Sequence, residues 1–193
     1  MIGLRFRSFV FSVGLAMAII VGAGTSQAAT LIFNYSGIAS GSLGGTNFTD
    51  QAFTLSVTVD TVDRSAFASG FRYNNVTPQA SIAGFGVVTF SGSFAIVINN
   101  NTNWTGIAND GRGLDAVSSF NPVFATYDGL SPLGPVLANG FISGGAYPIS
   151  TSGGSLSFDA ALNTPITVEV IPEPSCAALL MVGLAGFVRR RRR

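Results

Sequence analysis

The chain has 193 residues, 47% hydrophobic and 10% charged, with 24 Gly, 8 Pro, 1 Cys and no His, enough for one domain with its own core and a squeeze for two. Without His, the His-based serine and cysteine triads, His-ligated zinc and imidazole acid–base chemistry near neutral pH are excluded, and a single Cys forms no internal disulfide. All ten basic residues are Arg, five of them at 189–193, while the interior from Ala29 to Val170 holds three Arg against eight acids, a net charge of −5; that balance opposes a phosphate backbone, so no nucleic-acid partner is expected.

At the N-terminus, Arg5 and Arg7 precede an apolar run from Phe9 to Val21, and a small, polar stretch ends in Ser26-Gln27-Ala28. This basic, apolar, small-residue order predicts a secretory signal helix over residues 1–28, with Ser26 and Ala28 in the small-residue subsites of a signal peptidase and cleavage after Ala28. The apolar run of 13 residues is short for a bilayer core of roughly 30 Å.

From 29 to 170, apolar residues recur at period two or in short runs between Gly, Asn, Ser, Thr and Pro, and helical spacing is never sustained. The clearest strand is Phe53 to Val62, with Phe53, Leu55, Val57, Val59 and Thr61 on one face and Thr54, Ser56, Thr58, Asp60 and Val62 on the other; the first face should be core. Further strands are expected over Leu31–Tyr35, Gly86–Phe90, Phe94–Ile98, Val123–Tyr127, Val136–Ile142, Leu156–Ala160 and Ile166–Ile171. Their connectors are expected at Gly37–Gly45, Asn99–Asn103, Gly111–Gly113, Gly129–Pro135 and Gly153–Gly154. About eight strands with frequent turns in one domain predict an all-β sandwich or jelly-roll, ahead of a barrel.

Within this body, Asp110 and Asp115 flank a Gly-rich loop and are a candidate oxygen pair for calcium. The loop lacks the alternating acids of an EF-hand, and Arg112 between them would repel the ion, so an Asp-stabilised turn is the simpler account. Asp60 and Asp63 are explained by solvation at a strand end; glycoside hydrolysis would need two carboxylates set across a cleft. Trp104, Tyr73, Tyr127 and Tyr147 are candidates for stacking on sugar rings, or lids over the core. The Thr54-x-Ser56-x-Thr58 row has the spacing of an ice-binding surface and equally of any solvent-facing strand. The residues present call for no cofactor, metal or catalytic group.

The last segment, 171–193, places Pro172-Glu173-Pro174 before an uncharged run, Cys176 to Val188, and then Arg189, Arg190, Arg191, Arg192 and Arg193. The two prolines hold Glu173 on a stiff, extended stretch readable by a peptide-binding enzyme. The Ala-, Leu- and Met-rich run predicts a C-terminal transmembrane helix, short enough to need snorkelling arginines. The Arg cluster would keep that end on the cytoplasmic side.

This tripartite tail resembles the PEP-CTERM sorting signal of secreted bacterial proteins. The resemblance implies recognition by exosortase, a membrane-bound transpeptidase-like cysteine protease of exopolysaccharide-producing bacteria, with Pro172, Glu173 and Pro174 as the recognition residues of a substrate. It implies residence in the inner membrane in transit, then the cell surface or extracellular matrix. The expected partners are therefore signal peptidase, exosortase, the membrane and exopolysaccharide. The body is expected to be non-enzymatic and structural, with a carbohydrate-binding or adhesive module as the alternative.

Overall fold

The computed structural model describes residues 29–110, 114–142, 147–159 and 162–172. Residues 1–28 and 173–193 lie outside the described residues, and with them Ser26, Ala28, Glu173, Pro174 and Arg189–Arg193, the signal helix and the tail helix. Among the described residues no helix is long and apolar enough to cross a membrane.

The described chain is all-β. Two long strands, β1 (Thr30–Leu43) and β2 (Thr46–Asp60), form a hairpin closed by Gly44 and Gly45, both at positive φ. Then follow β3 (Arg64–Phe67), β4 (Gly70–Val76), β5 (Gln79–Ile82), β6 (Gly86–Thr89), β7 (Phe94–Asn99), β8 (Trp104–Asn109) and β9 (Leu114–Phe120). The chain closes with β10 (Leu133–Ile142), β11 (Ile149–Thr151), β12 (Gly154–Phe158) and β13 (Leu162–Pro172). All pairings are antiparallel, and the main path runs β3-β4-β7-β8-β9-β10-β13-β1-β2-β5-β6, with β12 and β11 attached to the far end of β1.

Alternation decides which face is core. Phe53, Leu55, Val57 and Val59 of β2 are buried, as are Leu31, Phe33 and Tyr35 opposite them in β1, and Ile166, Val168 and Val170 of β13 continue the same face. One sheet curls on itself into a half-barrel around a single apolar cluster. The curl brings Phe33 of β1 to 6.0 Å, ring to ring, from Tyr73 of β4, although five strands lie between them in the hydrogen-bonding order. At the other end, Phe158 packs against Phe48 and Phe53 with ring centroids 6.0 and 5.4 Å apart, and a bridge from Phe90 to Thr151 joins the β6 end to β11.

The expected connector at Gly37–Gly45 is mostly strand. These glycines mark close approaches: a Cβ on Gly37 would press on the Phe53 ring at 3.1 Å, and one on Gly41 would meet Phe48 at 2.9 Å. The β1–β2 register shifts between Ala39 and Gly41, where β1 changes partner from β13 to β12. Glycine in a strand often marks such a bulge or bend. The strand expected at Val123–Tyr127 is instead a 3-10 turn over Pro122–Ala125, because Pro122 suits its start and the Asn121 side chain accepts from Val123 N at 2.9 Å. The strands β3, β4, β5, β8, β9 and β11 were not expected; Arg72, Asn74, Thr105, Ser118 and Ser119 interrupt their apolar alternation, and cross-strand pairing holds them extended.

Candidate functional site

β2 ends in a polar turn. Asp60 closes the strand and accepts from Val62 N at 3.1 Å, starting the 3-10 turn Thr61–Asp63. This turn is tied to the start of β1, since Thr61 N donates to Ala29 O and Ala29 N donates to Thr61 Oγ1, each at 3.0 Å. The same end of the sheet holds the end of β13, where Leu31 pairs with Pro172. Pro172, which has no N–H to contribute to a ladder, thus stands at a strand terminus, where proline is tolerated. The two ends of the described chain, Ala29 and Pro172, therefore lie side by side.

Next to this corner β2 has an open edge. Along β2, β5 pairs only with Phe53–Ser56, so among the described residues Thr58 to Asp60 have no strand neighbour on that side. The end of β4 and the Thr77-Pro78 link to β5 lie there instead. The β4–β7 register shifts between Tyr73 and Val76, and Asn75 takes a positive φ of 55°, which Asn tolerates better than most residues. Between the edge and the link lies a pocket of about 410 Å³. Its lining is mostly polar, with hydroxyls, amides and carboxylates from Ser56, Thr58, Asp60, Asp63, Asn74 and Gln79 and with Asn75 and Thr77 beside them; Val59, Tyr73 and Val76 also border it but are buried.

Among the described residues, no basic side chain lines the pocket. The nearby Arg64 is turned elsewhere, donating from Nη1 to Asp128 O at 2.6 Å and lying 4.1 Å over the Phe71 ring. Tyr73 is core below the pocket; burial raises its phenol to a pKa of about 12, partly offset by Arg64, and its hydroxyl donates to Gly129 O. The site is thus a negative pocket, rich in hydroxyls and amides, above buried core residues.

The other candidates separate. Asp110 is taken up by an ion pair with Arg72. Asp115 sits on the next strand, where Ser118 Oγ donates to it at 3.0 Å; burial pushes its carboxyl above the usual value and the Ser118 bond partly opposes this. Gly111–Gly113 lie outside the described residues, and the described residues contain no cluster of three His, Cys, Asp or Glu. Tyr73 and Tyr127 belong to the core, not to a stacking surface, with the Tyr127 hydroxyl donating to Ser131 O at 2.8 Å. Trp104 begins β8, half-buried, its ring 3.1 Å from where a Cβ on Gly106 would stand, while Tyr147 is exposed. In the hydroxyl row, Thr54 and Ser56 are engaged across the hairpin, Thr54 with Ser36 at 3.0 Å and Ser56 donating to Asn34 Oδ1 at 2.8 Å; Thr58 is left to the pocket.

Sequence reasoning missed Asn74, Asn75, Thr77 and Gln79. The Asn-Asn pair and the Thr-Pro step at 77–78 were a turn signal, but only the curl brings that turn beside Asp60. Compared with family models, curated proteins and solved structures, the chain matches none.

Proposed function

We propose that this is an exported bacterial envelope or matrix protein, sorted through its tail by exosortase and carrying a structural, non-enzymatic β body. The observation that carries the reading is the Pro-Glu-Pro box, apolar run and Arg cluster in that order. The pairing of Leu31 with Pro172 is in keeping with it, because the box then begins where the last strand stops. A sorting enzyme needs its recognition segment extended and clear of the folded body. We read the folded-over sheet as the sandwich form expected for such a body. The non-enzymatic reading is supported by Asp60 and Asp63: both come from one turn, on one wall, instead of facing each other across a cleft.

In this reading the signal peptide starts export, the apolar tail holds the protein in the inner membrane with its arginines on the cytoplasmic side, and cleavage near Glu173 releases or transfers it. Mass spectrometry of the termini of exported material tests the reading, with Ala29 expected first and the Arg cluster absent. In the native host, Glu173→Ala, or Ser at all of 189–193, should leave protein accumulated in the inner membrane. Mature material that retains Arg193, or an unchanged distribution of both variants between membrane, surface and medium, refutes the sorting mechanism.

A further inference from the structure

We propose that the pocket beside the end of β2 is a binding site for a neutral saccharide. This goes beyond the sorting reading and does not depend on it. The volume of about 410 Å³ lies within the roughly 300–1,000 Å³ of small-molecule sites, so the pocket holds a short oligosaccharide segment and not a protein surface. Its chemistry selects among small ligands. Hydroxyls and primary amides offer donors and acceptors from several directions, as Thr58 and Gln79 do here together with Asn74, whose Nδ2 also donates to Ser65 Oγ at 3.3 Å. A ring carrying many hydroxyls matches such a lining.

Two further features point the same way. The open edge of β2 at Thr58–Asp60 adds main-chain groups that β5 does not cover, and a polyhydroxyl ligand can satisfy them. Among the described residues, no side-chain hydrogen bond engages Thr58, Asp63 or Gln79, while Asp60 uses one carboxylate oxygen on Val62 N. These groups are therefore available without breaking an internal contact. Charge then sets the ligand class. Asp60 and Asp63 stand in the wall, while the neighbouring Arg64 is engaged by Asp128 O and the Phe71 ring, so a uronate or sulfated sugar would meet net repulsion, whereas carboxylates are strong acceptors for neutral sugar hydroxyls.

The test uses the full chain, purified in detergent, titrated calorimetrically with maltohexaose, cellohexaose and mannohexaose as neutral probes, hexaguluronate as the acidic probe, and calcium chloride alone. At least one neutral probe should bind with Kd at or below about 1 mM, and hexaguluronate at least tenfold more weakly. Asn74→Ala and Gln79→Ala both change side chains outside the core, and each should weaken that binding at least fivefold with an unchanged unfolding midpoint. Asp60→Asn with Asp63→Asn keeps a capping side chain at 60 and should narrow the preference over hexaguluronate.

Failure of all neutral probes, equal binding of hexaguluronate, or binding indifferent to Asn74→Ala and Gln79→Ala overturns the proposal. So does calcium binding that Asp60→Asn with Asp63→Asn abolishes and that excludes the sugar. Each result is obtained on isolated protein, so it is distinguishable from any failure of the sorting mechanism in cells.

Discussion

The contact that most directly reports the curl of the sheet is the hydrogen bond between Tyr35 and Thr105. Tyr35 of β1 and Thr105 of β8 are separated by three strands in the hydrogen-bonding order, yet the hydroxyls lie 3.0 Å apart with both residues buried. A neutral hydrogen bond contributes about 0.5–1.5 kcal/mol net, and a buried group left without its partner costs about 1–3 kcal/mol. Tyr35→Phe leaves the Thr105 hydroxyl stranded, and Thr105→Val leaves the phenol stranded. Each should therefore lower stability by about 1–3 kcal/mol. The double variant removes both polar groups together, and its loss should fall short of the sum by about 1 kcal/mol or more. Urea unfolding gives the four free energies, with m unchanged if the denatured state is unaffected. If the two losses add within about 0.5 kcal/mol, as they do for sites more than about 7–10 Å apart, then β1 and β8 do not meet and the sheet is open.

Other expectations follow from single features. Ser119 lies opposite Thr105 in β9, fully buried, and its Oγ has no partner among the described residues; Ser119→Ala should be neutral or stabilise by about 1 kcal/mol, measured by the same titration. Gly140→Ala should cost about 1–3 kcal/mol through overpacking, because the new Cβ meets Ser118 O and comes 2.7 Å from Ile166 Cδ1. Gly134→Ala, with open space around its Cβ and no positive φ, should be neutral or stabilise by about 0.4–1 kcal/mol. The raised Asp115 carboxyl keeps its proton in the folded state over a window, upward from its ordinary value of 3.8, where the unfolded chain has released it. Stability should fall as pH rises through that window and stay lower above it. Asp115→Asn should remove that dependence, so a variant no more stable than wild type at pH 7 with an unaltered pH profile would refute the assignment. Burial raises the phenols of Tyr35, Tyr73 and Tyr127 above their ordinary value of 10.0. Ultraviolet titration should find these three ionising with unfolding and not before it, with stability declining as pH rises beyond 10.0.

The core half of this protein was readable before any coordinates. Phe53, Leu55, Val57 and Val59 alternate strictly with hydroxyl-bearing neighbours, and a strand's period of two sends them to one face whatever the partner strands are. Phe94, Ile96 and Ile98 also share a face, but Ala95 and Val97 between them are buried as well, so there a continuous apolar run marks the strand. The turn glycines at 44 and 153–154 were likewise legible from local chemistry alone.

Other features depend on neighbours remote in sequence. Gly37 and Gly41 read as linker until Phe53, Phe48 and Phe158 lie across them. Tyr73 and Tyr127 read as loop aromatics until Phe33, distant in sequence, packs against both rings. Asp60 reads as a solvated strand end, and becomes a pocket wall only because the pairing with β5 stops at Ser56 and the end of β4 with its link to β5 lies beside it. A sequence by itself determines which side chains must leave water, since that is a property of each residue and its immediate alternation. Which strands become neighbours, and where the curl leaves an edge uncovered, is decided by long-range pairing, because only the assembled sheet brings those groups within reach of one another.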